Sequence, residues 1–164
     1  MSESKMPQLT IRRADADDVG TIVRIVNAGG PDGKPRKALP DKLPAAYRST
    51  FEMINRDANQ WLMVAEVDHD NPTRAEIVGT FHLTYITYLA GLGRPDAQVE
   101  AIHVKASHRR QGIGSRMLEW VIAEARKRHC RRIQLTTDKQ RTEAHPVYLK
   151  LGFNFTHEGA KLYL

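Results

Sequence analysis

Arg109-Arg110-Gln111-Gly112-Ile113-Gly114 brings two guanidiniums and two glycines into six consecutive residues, between an alternating apolar stretch and one with helical spacing. A strand that turns tightly into a helix aims several unpaired backbone N–H groups at one spot, at the positive end of the helix dipole. Phosphate suits such a corner. Glycine is needed where a side chain would hold the phosphate off the backbone, which gives Gly112 and Gly114 a physical reason, and Arg109 and Arg110 can add charge-assisted bonds. Two other glycine turns are disfavoured. A dinucleotide-binding Gly-x-Gly-x-x-Gly needs glycine where Met117 stands, and Asp138 after the next strand is its only support. A phosphate loop of the Gly-Lys-Ser/Thr type occurs nowhere in the chain.

Apolar periodicity predicts the elements that must hold this turn. Leu9 and Ile11 alternate with Thr10 and Arg12 as a first strand. Asp15 can cap a helix with Asp17 and Asp18 in its first turn, Val19, Ile22, Val23 and Val26 as its apolar stripe, and Gly29 and Gly30 as its stop. Residues 29–43 hold three glycines and three prolines, a long connection of the kind that carries function. A second helix is expected over 45–57, a strand over 61–67 and a turn at His69-Asp70-Asn71-Pro72. From 76 to 88 one parity carries Ile77, Phe81, Leu83 and Tyr85 while the other mixes Val78, Thr80, His82 and Thr84, so this strand pairs back on its predecessor. A fourth strand over 98–104 leads into the turn. Ile113, Met117, Leu118, Val121, Ile122 and Ala125 then recur at helical spacing, with Glu124 four residues before Arg128 as a supporting pair. A fifth strand over 133–136, a short helix to about Leu151 ended by Gly152, and strands at 153–156 and 161–164 complete the chain. The layout is α+β, an antiparallel meander followed by one βαβ unit.

With 164 residues, 41% apolar and 27% charged, the sequence fits one soluble domain spanning 1–164. No run approaches the roughly 18 apolar residues of a membrane span. The opening MSESKMPQ lacks the apolar core of a secretory signal and Cys130 has no partner for an internal disulfide, so a cytoplasmic setting is expected. The net charge of +6 is concentrated: residues 105–132 carry nine Lys/Arg against Glu119 and Glu124, an excess of seven, which leaves about minus one for the rest. One basic region around one glycine turn suits a compact polyanion, although such a patch can also meet nucleic acid. Arg126, Lys127 and Arg128 read as solvated charges on a helix face. Seven scattered histidines and one cysteine give no zinc spacing, so no metal is expected.

At the Arg109–Gly114 turn the chain resembles the GNAT superfamily of acyl-CoA-dependent N-acyltransferases, whose signature is Arg/Gln-x-x-Gly-x-Gly/Ala between its fourth strand and the following helix; Arg109, Gly112 and Gly114 match it. A second feature, a short helix ending Tyr-x-x-x-Gly-Phe, is present as Tyr148-Leu149-Lys150-Leu151-Gly152-Phe153, with Ala144 four residues before the tyrosine. The close match runs from about Val99 to Phe153. It departs at Arg141, where the family often has Asn, and at Pro146 inside the short helix, so that helix should start late or be kinked.

The resemblance implies a mixed sheet with splayed fourth and fifth strands and helices on both faces. It implies acetyl-CoA as co-substrate, with backbone amides from Gln111 through Gly112, Ile113 and Gly114 to Ser115 on the pyrophosphate. The pantetheine arm would lie along Ile102, His103 and Val104. Glu100 stands where many relatives place a carboxylate that accepts the amine proton; the competing reading is a surface carboxylate or substrate anchor. His103 is the second candidate base, its ordinary pKa suiting the task, against a side chain that faces away. Tyr148 resembles the family's general acid, placed to protonate the coenzyme A sulfur, against a core aromatic. The oxyanion would be held by an N–H near Ile102 or His103. Cys130 reads as a buried structural thiol in preference to an acetyl-cysteine.

The expected activity is transfer of acetyl from acetyl-CoA to a primary amine of a small molecule, by direct attack and without a covalent enzyme intermediate. Residues 29–43, the second helix and His157-Glu158-Gly159 would frame the acceptor, and the resemblance implies a homodimer. An amine on a protein or RNA is the second reading, although nucleic acid is disfavoured as a partner, and a non-catalytic acyl-CoA-binding module is the third. Retention of Glu100 and Tyr148 speaks against loss of chemistry.

Overall fold

The structure, a computed structural model, describes residues 8–29, 34–68 and 75–164. The expected turn at His69-Asp70-Asn71-Pro72, Gly30 and the opening seven residues lie outside them. The strands are β1 (Leu9–Arg13), β2 (Gln60–Val67), β3 (Glu76–Thr87), β4 (Pro95–Val104) and β5 (Ile133–Leu135); the helices are α1 (Val19–Ala28), α2 (Ala45–Arg56), α3 (Ile113–Lys127) and α4 (His145–Lys150). The sheet order is β1-β2-β3-β4-β5, antiparallel until the parallel β4–β5 pair. This is the expected meander followed by one βαβ unit.

Both sheet faces are covered, because the strands carry apolar residues on both parities. On one side Met63, Ala65, Phe81, Leu83, Ala97 and Val99 pack against Ile113, Met117, Val121 and Ala125 of α3. On the other, Val64 and Ala14 meet Ile22 of α1 and Phe51 of α2. Phe81, Met63, Leu83 and Met117 are all under 2% or at 2% exposure, so each contributes about 1.5–3 kcal/mol of burial. This block is what holds the C-terminal end of β4 and the start of α3 in place.

Three local expectations change. Helix α1 starts at Val19, not after Asp15, because the Asp18 carboxylate is already committed: it takes Arg12 Nη1 at 2.7 Å and Nη2 at 3.2 Å and the Asp15 amide at 2.8 Å, and no side chain caps the helix. Burial alone would raise the Asp18 pKa; the Arg12 bonds and the Asp15 amide outweigh it and hold the group below its usual value. Glu124 pairs with Lys127 and not with Arg128, whose guanidinium lies 4.5 Å from the Trp61 ring centre and 4.1 Å from that of Tyr85. A cation between two aromatic faces is better placed there than on an exposed i,i+4 pair.

The strands expected at 153–156 and 161–164 do not form. Residues 153–164 run without regular structure, with Leu162 87% and Tyr163 86% exposed. Because β5 is only three residues long, its edge offers little ladder for another strand to join.

Candidate active site

The turn between β4 and α3 is built by backbone conformation. After the short helical turn Ala106–His108, Arg110 adopts φ +61° and Gly112 φ +75°, and α3 begins at Ile113 with no side chain capping it. A Cβ on Gly112 would touch nothing within 4 Å, so it is the left-handed φ, and not crowding, that favours glycine there. At Gly114 the nearest atom to an added Cβ, outside its chain neighbours and its own helix backbone, is Val104 Cγ2 at 4.0 Å, which leaves open space over the first-turn amides. The first backbone bond into the helix is Arg116 N to Gly112 O at 3.1 Å, so the amides of Ile113, Gly114 and Ser115 have no intrahelical acceptor. Donors without partners, open space and a helix dipole together fit a diphosphate. Arg109 Nε donates to Val104 O at 3.3 Å, which folds this side chain along the turn, while Arg110 is exposed.

Beside the turn, β4 loses its outer partner. The parallel ladder with β5 covers only Ala97–Ile133, Gln98–Gln134 and Val99–Leu135, while β4 continues to Val104. Among the described residues, 100–104 therefore present an edge with no strand on the β5 side. The register on the other side contains a bulge: Thr80 faces His103 and His82 faces Glu100, so Ala101 and Ile102 together oppose Phe81, with Ala101 at φ +51°.

That bulge decides which side chains meet. In a regular strand Glu100 and His103, three apart, point to opposite faces. Here Val99 packs on the α3 side before the bulge, and Ile102 and Val104 pack there after it, which leaves Glu100 and His103 both on the α1 face. Glu100 is exposed and its carboxylate accepts from Gln98 Nε2 and, at 3.3 Å, from Thr136 Oγ1. His82, its cross-strand neighbour, has a buried Nε2 without a partner, and burial lowers its pKa against the pull of Glu100.

His103 is 7% exposed, with its ring under the end of α1: a Cβ on Gly29 would lie 2.1 Å from His103 Nδ1, so only glycine allows this contact. The sequence-based expectation of an ordinary imidazole pKa is corrected. Burial, joined by Arg141, Arg36 and Arg109, pushes it down to about 4, so the ring is neutral near pH 7.

Tyr148 sits on α4 with its ring edge-on to Phe153 at 6.1 Å. The helix starts at His145, so Pro146 falls in the first turn, where its missing N–H is harmless, and Tyr148 N still reaches Ala144 O at 3.2 Å. Burial raises the phenol's pKa, which keeps it protonated, against a smaller opposing pull from Thr137 and Arg141. Arg141 donates Nη2 to Gly29 O, and its charge pulls the pKa of both His103 and Tyr148 downward.

Arg36, Arg141 and His82 are the members of this corner that the sequence did not single out as site residues. Only the departure from Asn at 141 was a usable signal. Cys130 is half-buried against the α3 core and burial raises its thiol pKa, so little thiolate is available. A groove of about 450 Å³ between α3 and residues 151–156 is lined by Ile122, Cys130, Ile133 and Phe153, and it contains none of Glu100, His103 or Tyr148. Among the described residues no group of three or more His, Cys, Asp or Glu could hold a metal, and no helix is long and apolar enough to cross a membrane.

Known proteins share this fold. A transcriptional regulator from Bacillus halodurans C-125 superposes with a TM-score of 0.84 and 37% identity over 96% of this chain and 100% of its own. A predicted acetyltransferase with acetyl-CoA from Clostridium acetobutylicum has a TM-score of 0.68 and 21% identity over 95% of this chain and 96% of its own, a likeness of fold. The aminoalkylphosphonate N-acetyltransferase of Salmonella typhimurium strain LT2 is 24% identical over 156 residues, 94% of this chain and 91% of that protein. The sequence profile of the Acetyltransferase (GNAT) family matches residues 31–153, three quarters of the chain and the whole of the turn, the splayed edge and Tyr148, and the chain therefore belongs to that family.

Proposed function

We propose that this acetyltransferase moves acetyl from acetyl-CoA to the primary amine of a small molecule. The observation that carries the reading is the β4 edge left open beyond Val99, next to a helix start whose first amides have no partner. When bound, acetyl-CoA supplies an activated acetyl group as a thioester. The amides of Gln111, Gly112, Ile113, Gly114 and Ser115, with Arg109 and Arg110, are the donors for its pyrophosphate, and Ile102, His103 and Val104 provide the edge for its pantetheine arm.

Attack requires a neutral amine, and the two candidate bases differ in kind. Glu100 is solvent-exposed and can take a proton directly or through water, whereas burial, joined by the charges of Arg141, Arg36 and Arg109, disfavours the protonated form of His103. Glu100 is therefore the stronger candidate. A β4 amide at Ile102 or His103 is the donor for the developing oxyanion, and Tyr148, held protonated by burial, is the donor for the departing sulfur. No covalent nucleophile is needed. The acetyltransferase from Salmonella acts, by its name, on an aminoalkylphosphonate, which supports a small amine as acceptor here.

Thiol release from acetyl-CoA, followed across a panel of small amines, peptides and tRNA, tests the reading. Release with small amines alone is the expected result; release only with a macromolecule would move the acceptor to that class, and the basic face would then serve docking. Acetyl-CoA at a hundredfold over its dissociation constant should add about 2.7 kcal/mol of stability, and an unchanged melting temperature would count against every CoA-based reading, the non-catalytic module included. Sedimentation of the purified chain tests the proposed homodimer, and fractionation of the source cells the cytoplasmic setting.

A further inference from the structure

We propose that His82 is a positioning residue for Glu100: once Glu100 has taken a proton from the acceptor amine, its new O–H donates to His82 Nε2. The proposal rests on the amine-acceptor reading above, with Glu100 as base, and adds the group that strengthens that base.

The sheet brings the two side chains together. His82 of β3 faces Glu100 of β4 in the antiparallel register, at the point where regular pairing resumes beside the bulge. Directly opposed residues have Cβ atoms about 4.5–5.5 Å apart on one face, a gap that a glutamate side chain spans. On its other flank His82 is paired with Leu62, which has no polar side-chain atom to offer. Helix α1 packs on β3 and carries one titratable group, Arg24, which is exposed and donates to the carbonyls of Gly20 and Asp41. Along β4 the next titratable group is His103, buried beneath Gly29. Glu100 is therefore the acid that shares this place with His82.

Donors and acceptors around the pair are unequal. Glu100 accepts from Gln98 Nε2 and, at 3.3 Å to each oxygen, from Thr136 Oγ1, so both contacts serve the ionised carboxylate. The Thr136 bonds are long for a hydroxyl donor and easily given up. His82 Nε2 is buried and has no hydrogen-bond partner among the described residues. With the ring hydrogen on Nδ1, Nε2 is a bare acceptor, and a buried acceptor is costly to leave unmade. A carboxylate has no hydrogen to give it. A protonated Glu100 has one.

Proton transfer then balances within the site. An amine N–H breaks, a Glu100 O–H forms, and the lone pair left on nitrogen attacks the acetyl carbonyl. A hydrogen bond from that O–H to Nε2 favours the protonated carboxyl, which makes Glu100 the stronger base. Burial, against the pull of Glu100, holds the His82 pKa below its ordinary value, so near pH 7 the ring stays neutral and leaves the proton on Glu100. From the exposed carboxyl the proton passes to water.

The test compares wild type, His82→Leu and His82→Gln with butylamine, spermidine and tyramine as acceptors. His82→Leu should lower kcat about 3- to 10-fold, the worth of one neutral hydrogen bond, with acetyl-CoA affinity unchanged. The acid limb of its kcat/KM profile should move down by about half to one pH unit, because a weaker base gives up its proton at lower pH. His82→Gln, whose amide oxygen is an acceptor, should recover most of both effects. In a Glu100→Gln background, His82→Leu should cost nothing further. A ring that only fills space predicts the reverse order, with Leu tolerated and Gln damaging. That order, an unmoved acid limb, or the full His82→Leu loss without Glu100 would overturn the proposal. If no amine is acetylated, the amine-acceptor reading fails by itself, and a carbon NMR titration of the Glu100 carboxyl decides the pair: a lower midpoint in His82→Leu than in wild type sustains it, and equal midpoints end it.

Discussion

Strand β4 has arginines at both ends, and they behave in opposite ways. At its start Arg131 closes on Asp96 with bonds of 3.0 and 2.8 Å, Arg132 adds one of 2.8 Å, and the carboxylate between them has no exposed surface. Those bonds, Arg131 first, hold Asp96 below the usual carboxylate range. At its far end Arg141 donates Nη2 to Gly29 O, beside the buried His103 ring, and among the described residues no carboxylate lies within ion-pair distance of it. The difference teaches how to read arginine. A guanidinium closed on a buried acid has its charge answered within the fold, while one that spends a single N–H on a backbone carbonyl keeps donors for other partners.

Breaking the tie at the closed end should have the largest effect. Asp96→Ala strips both Arg131 and Arg132 of their partner and should lower stability by roughly 3 kcal/mol, the low end for a broken buried pair because both guanidiniums reach solvent. Urea unfolding measures it, and Arg141→Gln in the same assay should lose about 1 kcal/mol, the worth of one hydrogen bond. Comparable losses in the two variants would erase the distinction between the two ends of the strand.

At the open end, Tyr148→Phe removes only the phenol hydroxyl. Turnover should fall about 100-fold, the lower range for a general acid, with acetyl-CoA affinity unchanged. Equal activity would remove the acid role and leave Tyr148 as packing against Phe153.

The smallest effect is one of pH. With the His103 pKa near 4 in the fold and 6.5 as its ordinary value, the unfolded chain binds more protons between those limits. Stability is therefore complete above pH 6.5 and is lost as the pH falls toward 4, by about 2 kcal/mol between pH 7 and pH 5 from this group. His103→Gln should flatten that part of the stability profile. A wild-type profile with no such slope would mean that the ring is not held neutral by its surroundings.

Much of this is legible in the sequence. The alternation in β1 and β3, the helical spacing from Ile113 to Ala125 and the glycine turn are written in neighbouring residues, and the structure reproduces them as strands, as α3 and as a turn at Gly112. Where neighbours compete, the reading slipped: three aspartates in one turn did not reveal that Asp18 belongs to Arg12, and Arg128 went to two aromatics in place of Glu124.

What the sequence by itself determined is the order of elements and the corner that suits a diphosphate, because local periodicity and glycine's backbone freedom are properties of short segments. Only the tertiary structure decided that Glu100 and His103 share a face, since one extra residue in the β3–β4 register reverses every side chain beyond it. It alone also brought Arg141 to Gly29, 112 residues away in the chain. A long charged side chain is compatible with many partners, and which one it finds depends on where distant segments come together.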